Sequence, residues 1–234
     1  MTDTGQHTET GTRTGAGGRT ETEADAVRAL AGGDASVRLR AALAAGTAPG
    51  PHLVEPLLER CATEPEFLVR DMLTWALTRH PVDTTLPALL REVRSKRVQA
   101  RSQALHTLSK LGDRRAWPAL TRELLTDPAD EVARSAWRAA VVLVPEGAEP
   151  ALATELATQL GRGGRETRLS LSRALVALGD AAAPALDAAA GAGSQDVRAH
   201  ALATTRLLHD PDAGFGHAVE EAKRVVALGG AGDG

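Results

Sequence analysis

The chain has 234 residues, 43% of them hydrophobic, with a formal net charge of -3. That length supports one sizeable core or one extended array without a second domain, and the charge excludes the overall cationic field that drives non-specific binding to nucleic acid or membrane surfaces. A single cysteine, Cys61, excludes an internal disulfide framework and a multi-thiolate metal site, and suits a reducing compartment.

In chain order, Met1 to Glu23 is rich in Thr and Gly and lacks apolar periodicity, so residues 1–23 are expected to be a disordered tail. From residue 24 the chain repeats itself. The phrase (V/A/T)-R-x-x-A-x-x-A-L-x-x-L-G-D, in its best copies, starts at Val37, Val69, Ala100, Val132, Thr167 and Val197. A second marker, a proline followed by apolar residues, recurs between them at Pro56, Pro87, Pro118, Pro150 and Pro184. Two markers of one period define a two-helix unit. The proline belongs near the start of the first helix (A), where a missing N–H costs least, and the arginine phrase belongs to the second (B). Asp113 and Asp180 are expected as N-caps, and Gly112 and Gly179 as C-terminal glycines. The longest spacing, from Val132 to Thr167, is accounted for by Gly161-Arg162-Gly163-Gly164 inserted in a turn.

At about 100° per residue, B positions 0, +4, +7, +8 and +11 fall within roughly a third of the wheel and form one apolar stripe. Helix pairs bearing such a stripe must stack to bury it. Phe215 to about Leu228 reads as one further, more charged A-type helix that caps the array, and residues 229–234 as a fraying Gly-rich end. No run reaches the ~20 apolar residues of a membrane-spanning helix and no secretory block opens the chain, so a cytoplasmic location without a membrane partner is expected.

Leu86-Pro87-Ala88-Leu89-Leu90 on an A helix, Val197-Arg198 on a B helix, and the endings Leu111-Gly112-Asp113 and Leu178-Gly179-Asp180 together resemble the short HEAT-like repeats of the bilin-lyase (E-Z) type. The resemblance covers roughly residues 24–228. It implies an all-α, right-handed α-solenoid of about six HEAT-like two-helix repeats plus a C-terminal capping helix. It does not transmit one function, because that repeat family spans lyases, chaperones, hydroxylases and adaptors.

The most regular polar feature is the arginine at B position +1: Arg38, Arg70, Arg101, Arg168 and Arg198. Acidic residues lie two to four places before most of them, at Asp34, Glu66, Glu166 and Asp196, so the ladder is expected to be structural glue between repeats. Opposite the apolar stripe, position +6 gives Leu43, Trp75, His106, Arg138, Arg173 and Ala203 down the array. In a HEAT-like solenoid the B helices line the concave surface. Asp71, Trp75, His106, Arg134, Trp137, Arg138, Arg173 and Arg206 are therefore the candidate partner-binding residues, tryptophan and arginine being the types most enriched at hot spots. Trp117, beside Pro118, is expected to be ordinary packing.

The function expected is a non-catalytic scaffold or adaptor for a protein or peptide partner with acidic residues. The alternatives are a HEAT-like DNA glycosylase or nucleic-acid-binding protein, for the first of which Asp71, Trp75, Arg134 and Trp137 form a superficially suitable set, and a small-ligand, bilin-type lyase or chaperone. His52, His80, His106, His200, His209 and His217 include no pair at i, i+4 and no His-Glu dipeptide, so neither metal nor cofactor is expected. Cys61, inside an A helix, is expected to be a small buried hydrophobe. Arg91, Arg94, Lys96, Arg97 and Arg101 surround one A-to-B turn, and Arg162, Arg165 and Arg168 surround another. The turn between them carries Asp127, Asp130 and Glu131, which interrupts any phosphate track and makes nucleic acid an unlikely partner.

Overall fold

A computed structural model of the chain describes residues 17–210 and 215–229, with side chains from 24 to 210 and from 218 to 226. Its α-helices are α1 (Gly17–Leu30), α2 (Ala35–Thr47), α3 (Val54–Cys61), α4 (Phe67–Arg79), α5 (Val82–Glu92), α6 (Val98–Leu111), α7 (Arg122–Leu125), α8 (Asp130–Leu143), α9 (Glu149–Ala157), α10 (Arg165–Ala177), α11 (Ala183–Ala192), α12 (Gln195–His209) and α13 (Phe215–Gly229). Short 3₁₀ turns at Pro51–Leu53, Arg114–Ala119 and Gly179–Ala182 lead into α3, α7 and α11. The described residues contain no strand. The molecule is an α-solenoid in which α2, α4, α6, α8, α10 and α12 are the B helices.

Of the expected N-terminal tail, residues 1–16 lie outside the described residues, whereas 17–23 are helical and open α1. At the other end Gly229 closes α13, and 230–234 lie outside the described residues. No single helix among the described residues is long and apolar enough to cross a membrane.

The prolines do not all start helices as expected: Pro87 is the sixth residue of α5, inside the helix. Pro150 and Pro184 occupy the first turns of α9 and α11, where the first N–H groups have no intrahelical acceptor. Pro118 is the fifth residue of the turn Arg114–Ala119, and there the A helix breaks in two, because the ring displaces the carbonyl four residues back. Gly112 ends α6 with φ +65, and Gly161 (φ +83) and Gly163 (φ +67) form the inserted turn before α10. Asp113 caps the following turn by accepting the Arg115 amide at 2.9 Å. Asp180 does not cap: it lies inside the turn Gly179–Ala182 and makes no side-chain cap bond. Two further caps act instead, Asp34 on the Ser36 and Val37 amides and Ser194 on Val197.

One continuous hydrophobic cluster runs from Leu30 in α1 to Ala201 in α12, with Leu57, Leu73, Leu89, Leu105, Leu143, Leu156 and Leu175 fully buried. Each such side chain contributes roughly 1.5–3 kcal/mol of burial. Small residues let the B helices approach closely. A Cβ at Gly46 in α2 would lie 2.9 Å from the Ala76 Cα in α4 and closer still to the Trp75 ring. Polar pairs fill the narrow interfaces: Ser102 Oγ lies 3.0 Å from Ser135 Oγ between α6 and α8. Between α10 and α12, Ser172 Oγ lies 2.7 Å from Thr204 Oγ1 and 3.0 Å from His200 Nε2.

The capping helix takes a different place from the one its sequence suggests. Instead of standing as another A helix, α13 packs on the B helix α12, burying Ala199 and Ala203 against Ala218, Ala222 and Val226. Cys61 is buried as expected, and burial pushes its thiol up to about 12, which leaves no thiolate for chemistry near neutral pH.

Candidate functional site

Three B helices, α4, α6 and α8, enclose a groove of about 440 Å³ lined by Phe67, Arg70, Asp71, Ser102, Gln103, His106, Glu131, Arg134, Ser135 and Arg138. Four expected site residues, Asp71, His106, Arg134 and Arg138, therefore meet in one place. Their helical register brings them there: one residue from each turn of neighbouring, stacked helices projects from the same side.

The chemistry of this groove centres on Arg138. Its Nη1 lies 3.1 Å from His106 Nδ1, and among the described residues no carboxylate pairs with it. Partial burial in the groove, followed by the nearby Arg134 and Arg173 guanidinium groups, lowers its pKa. His106 is likewise held below the ordinary imidazole range, first by burial and then by Arg138 and Lys110, while Asp71 acts in the opposite direction. A neutral imidazole can accept the Arg138 hydrogen bond through Nδ1. Arg134 reaches Glu166 only at 3.9 Å, and Arg173 is exposed with no ion pair among the described residues. Arg134 and Arg138 therefore offer guanidinium donors to the groove, while Arg173 lies outside its lining but near enough to Arg138 to act on its charge.

Trp75 lies one helical turn beyond Asp71 on α4, and Leu43 on the preceding B helix is also exposed. Its indole is 37% exposed, and the rest of it covers Gly46, where a Cβ would come within 2.2 Å of Trp75 Cζ3. The residue thus wedges against α2 with one edge and faces solvent with the other.

Besides Trp75, three expected site residues, Arg173, Trp137 and Arg206, do not line the groove. Trp137 is 0% exposed, and its Nε1 donates to the Leu125 carbonyl at 2.8 Å. It sits at B position +5, which is buried in the first five repeats: Ala42, Thr74, Leu105 and Ser172 occupy it elsewhere. The buried face is wider than the apolar stripe because neighbouring B helices also pack on it. The glycosylase-like set accordingly loses its second tryptophan. Arg206 forms an ion pair with Glu221 of the capping helix and serves that junction instead of the groove.

The ladder arginines are held mostly by partners other than the acids expected, of which Asp196 alone reaches a rung among the described residues. Arg38 grips Glu64 with Nε at 2.7 Å and Nη2 at 2.8 Å, and Arg101 grips Asp127 at 3.2 and 3.0 Å, each acid lying in the next repeat. Arg168 donates to the Gly161 and Gly163 carbonyls, with Asp196 further off at 3.6 Å, and Arg198 donates to the Ala190 carbonyl at 3.2 Å. Asp34, one of the expected acids, is an N-cap. The basic turns are largely neutralised within the chain. Arg97 pairs with Glu59 at 2.7 Å, Arg91 pairs with Glu55, and Arg162 reaches Asp130 at 2.8 Å.

Residues that sequence reasoning missed include Phe67, 67% exposed at the groove's edge, and Ser135 and Glu131 from α8. An apolar residue two places before the B phrase, outside the buried stripe, was the available signal for Phe67. Among the described residues no group of three or more His, Cys, Asp or Glu could hold a metal ion.

Residues 54–142 match the family model for HEAT repeats. No curated protein matches the chain. Among solved structures, it is similar to an engineered protein (20% identity, 88% of this chain and 96% of that one, TM-score 0.46). It is also similar to human deoxyhypusine hydroxylase in complex with glycerol (18% identity, 90% and 96%, TM-score 0.44). A third similar structure is the complex of CpcE and CpcF of phycocyanin lyase from Nostoc sp. PCC7120 (18% identity, 86% and 93%, TM-score 0.37). The chain is thus an α-solenoid of six stacked helix pairs whose residues 54–142 are HEAT repeats.

Proposed function

We propose that the protein is a non-catalytic scaffold that holds a peptide segment of a partner protein along the concave face of its B helices. The observation that carries this reading is Arg138, a guanidinium without a carboxylate among the described residues, in a groove that also presents Arg70 and Arg134, with Arg173 near Arg138. Like charges held together cost free energy in the empty groove, and an acidic partner segment relieves that cost on binding. The exposed part of Trp75, and exposed Leu43 on the preceding B helix, supply apolar surface toward one end of the array. The segment that fits is an apolar anchor followed by acidic residues.

Selection from a random peptide display library on the purified protein tests this directly. Selected sequences should combine an aromatic or aliphatic residue with Asp or Glu, and Trp75→Ala should weaken their binding by about 2 kcal/mol. Because Trp75 also covers Gly46, the same substitution should lower thermal stability modestly. Selected sequences free of acidic residues, or bound equally well by the Trp75→Ala protein, would contradict the proposal.

A further inference from the structure

Two rungs of the arginine ladder, Arg70 and Arg198, have no acid among the described residues, and the Arg70 rung opens into the groove. Arg38, Arg70 and Arg101 start alike: Nη1 of each donates to the backbone carbonyls six and five residues earlier. The acceptors are Gly32 and Gly33 for Arg38 (3.0 and 2.7 Å), Glu64 and Pro65 for Arg70 (2.9 and 2.6 Å), and Ser95 and Lys96 for Arg101 (2.9 and 3.3 Å). This common anchoring leaves the Nε/Nη2 edge for the next repeat. Arg38 spends that edge on Glu64 and Arg101 on Asp127.

Glu64 and Asp127 occupy the same register. Each also accepts the amide two residues on, Glu66 at 3.0 Å and Ala129 at 2.9 Å. In the repeat between them this register holds Ser95, whose Oγ accepts the Arg97 amide at 3.3 Å but carries no charge. Arg70 consequently makes no ion pair among the described residues. Asp71 and Glu131 also line the groove, and neither takes the edge. Arg70 itself lines the groove, with its Cζ 5.9 Å from the centroid of the exposed Phe67 ring.

We infer that the Nε/Nη2 edge of Arg70 is a carboxylate-binding subsite, filled by a Glu or Asp side chain of the bound segment whose apolar neighbour rests on Phe67. The inference rests on the segment-binding reading of the groove and names where its acid docks. A planar guanidinium edge matches a carboxylate in a bidentate pair, as the Arg38–Glu64 rung already does within the chain.

The test is a titration of the full chain with N-acetyl-glutamate methylamide, and with the glutamine analogue as control, followed by the arginine Nε–Hε NMR signals. The Arg70 signal, identified by its loss in Arg70→Lys, should shift saturably with the glutamate compound and stay fixed with the glutamine one. Ser95→Asp supplies the missing acid within the chain and should abolish that shift while raising the melting temperature. Ser95→Asn, of similar size but uncharged, should leave the titration intact. An Arg70 signal that does not move in the wild-type protein, or one that moves equally in Ser95→Asp, overturns the inference. If display-selected segments bind Arg70→Lys as tightly as wild type, the subsite falls and the segment-binding reading stands. If Arg70 titrates but no acidic segment is selected, the subsite stands and that reading falls.

Discussion

His200 illustrates how a single side chain is tied into this fold. It is 1% exposed between α10 and α12, where Nδ1 accepts the Gly161 amide at 3.0 Å and Nε2 donates to the Arg168 carbonyl at 3.1 Å. Burial pushes its pKa down to about 4, against an ordinary 6.5. The unfolded chain therefore takes up a proton near pH 6.5, and the folded chain only near pH 4. The contribution of His200 is complete above the unfolded value and is lost as pH falls between the two, at up to about 1.4 kcal/mol per pH unit. Denaturant unfolding at pH 7 and pH 5 should show a larger loss for wild type than for His200→Gln. Equal losses would mean that another group sets the acid sensitivity. Nothing in the sequence singled out this histidine, because its partners are a turn amide and a carbonyl from another repeat. Trp137 was misplaced for a related reason: at +5 the repeats carry Ala42, Thr74, Leu105 and Ser172, too mixed to show that the position is buried throughout the first five repeats.

At the scale of elements, helix pairs, their turns and the apolar stripe were legible because local rules fix them: prolines in the first turns of α9 and α11, glycines at positive φ, period 3.6. The contacts between repeats were less legible. Arg38 and Arg101 were recognised as structural, but their acids lie 26 residues ahead, in the following repeat, and no local spacing points there. The same is true of α13, whose sequence reads as an A helix and whose packing partner is the B helix α12. The ladder rungs should differ in energetic weight. Glu64 is 0% exposed and shared by Arg38 and Arg60, the latter at 3.0 Å. Burial by itself would raise its pKa, but Arg38, the Glu66 amide and Arg60 together hold it below the ordinary carboxylate value. Glu64→Ala should then cost roughly 3–5 kcal/mol, as expected when one partner of a buried pair is removed, and thermal or denaturant melts measure it. A loss below about 1 kcal/mol would make this rung no more than a surface pair.

Considered as a whole, the solenoid gains its stability from nearest-neighbour interfaces along one continuous core and leaves a groove open on its B helices. Its net charge of -3 hides a local excess of guanidinium groups in the groove, which bulk composition could not reveal. The face was legible as a set of positions, since Asp71, His106, Arg134 and Arg138 do line it. Its boundaries were not, because they depend on how far neighbouring helices bury one another. The central claim is that this groove holds an acidic segment, and the affinity of a display-selected peptide for wild type and for the double variant Arg138→Ala/Arg173→Ala tests it most directly. The account expects binding to the double variant to be weakened at least tenfold, about 1.4 kcal/mol, with slower association and less dependence on salt, and with thermal stability unchanged. Equal affinity and equal salt dependence in the two proteins would contradict it.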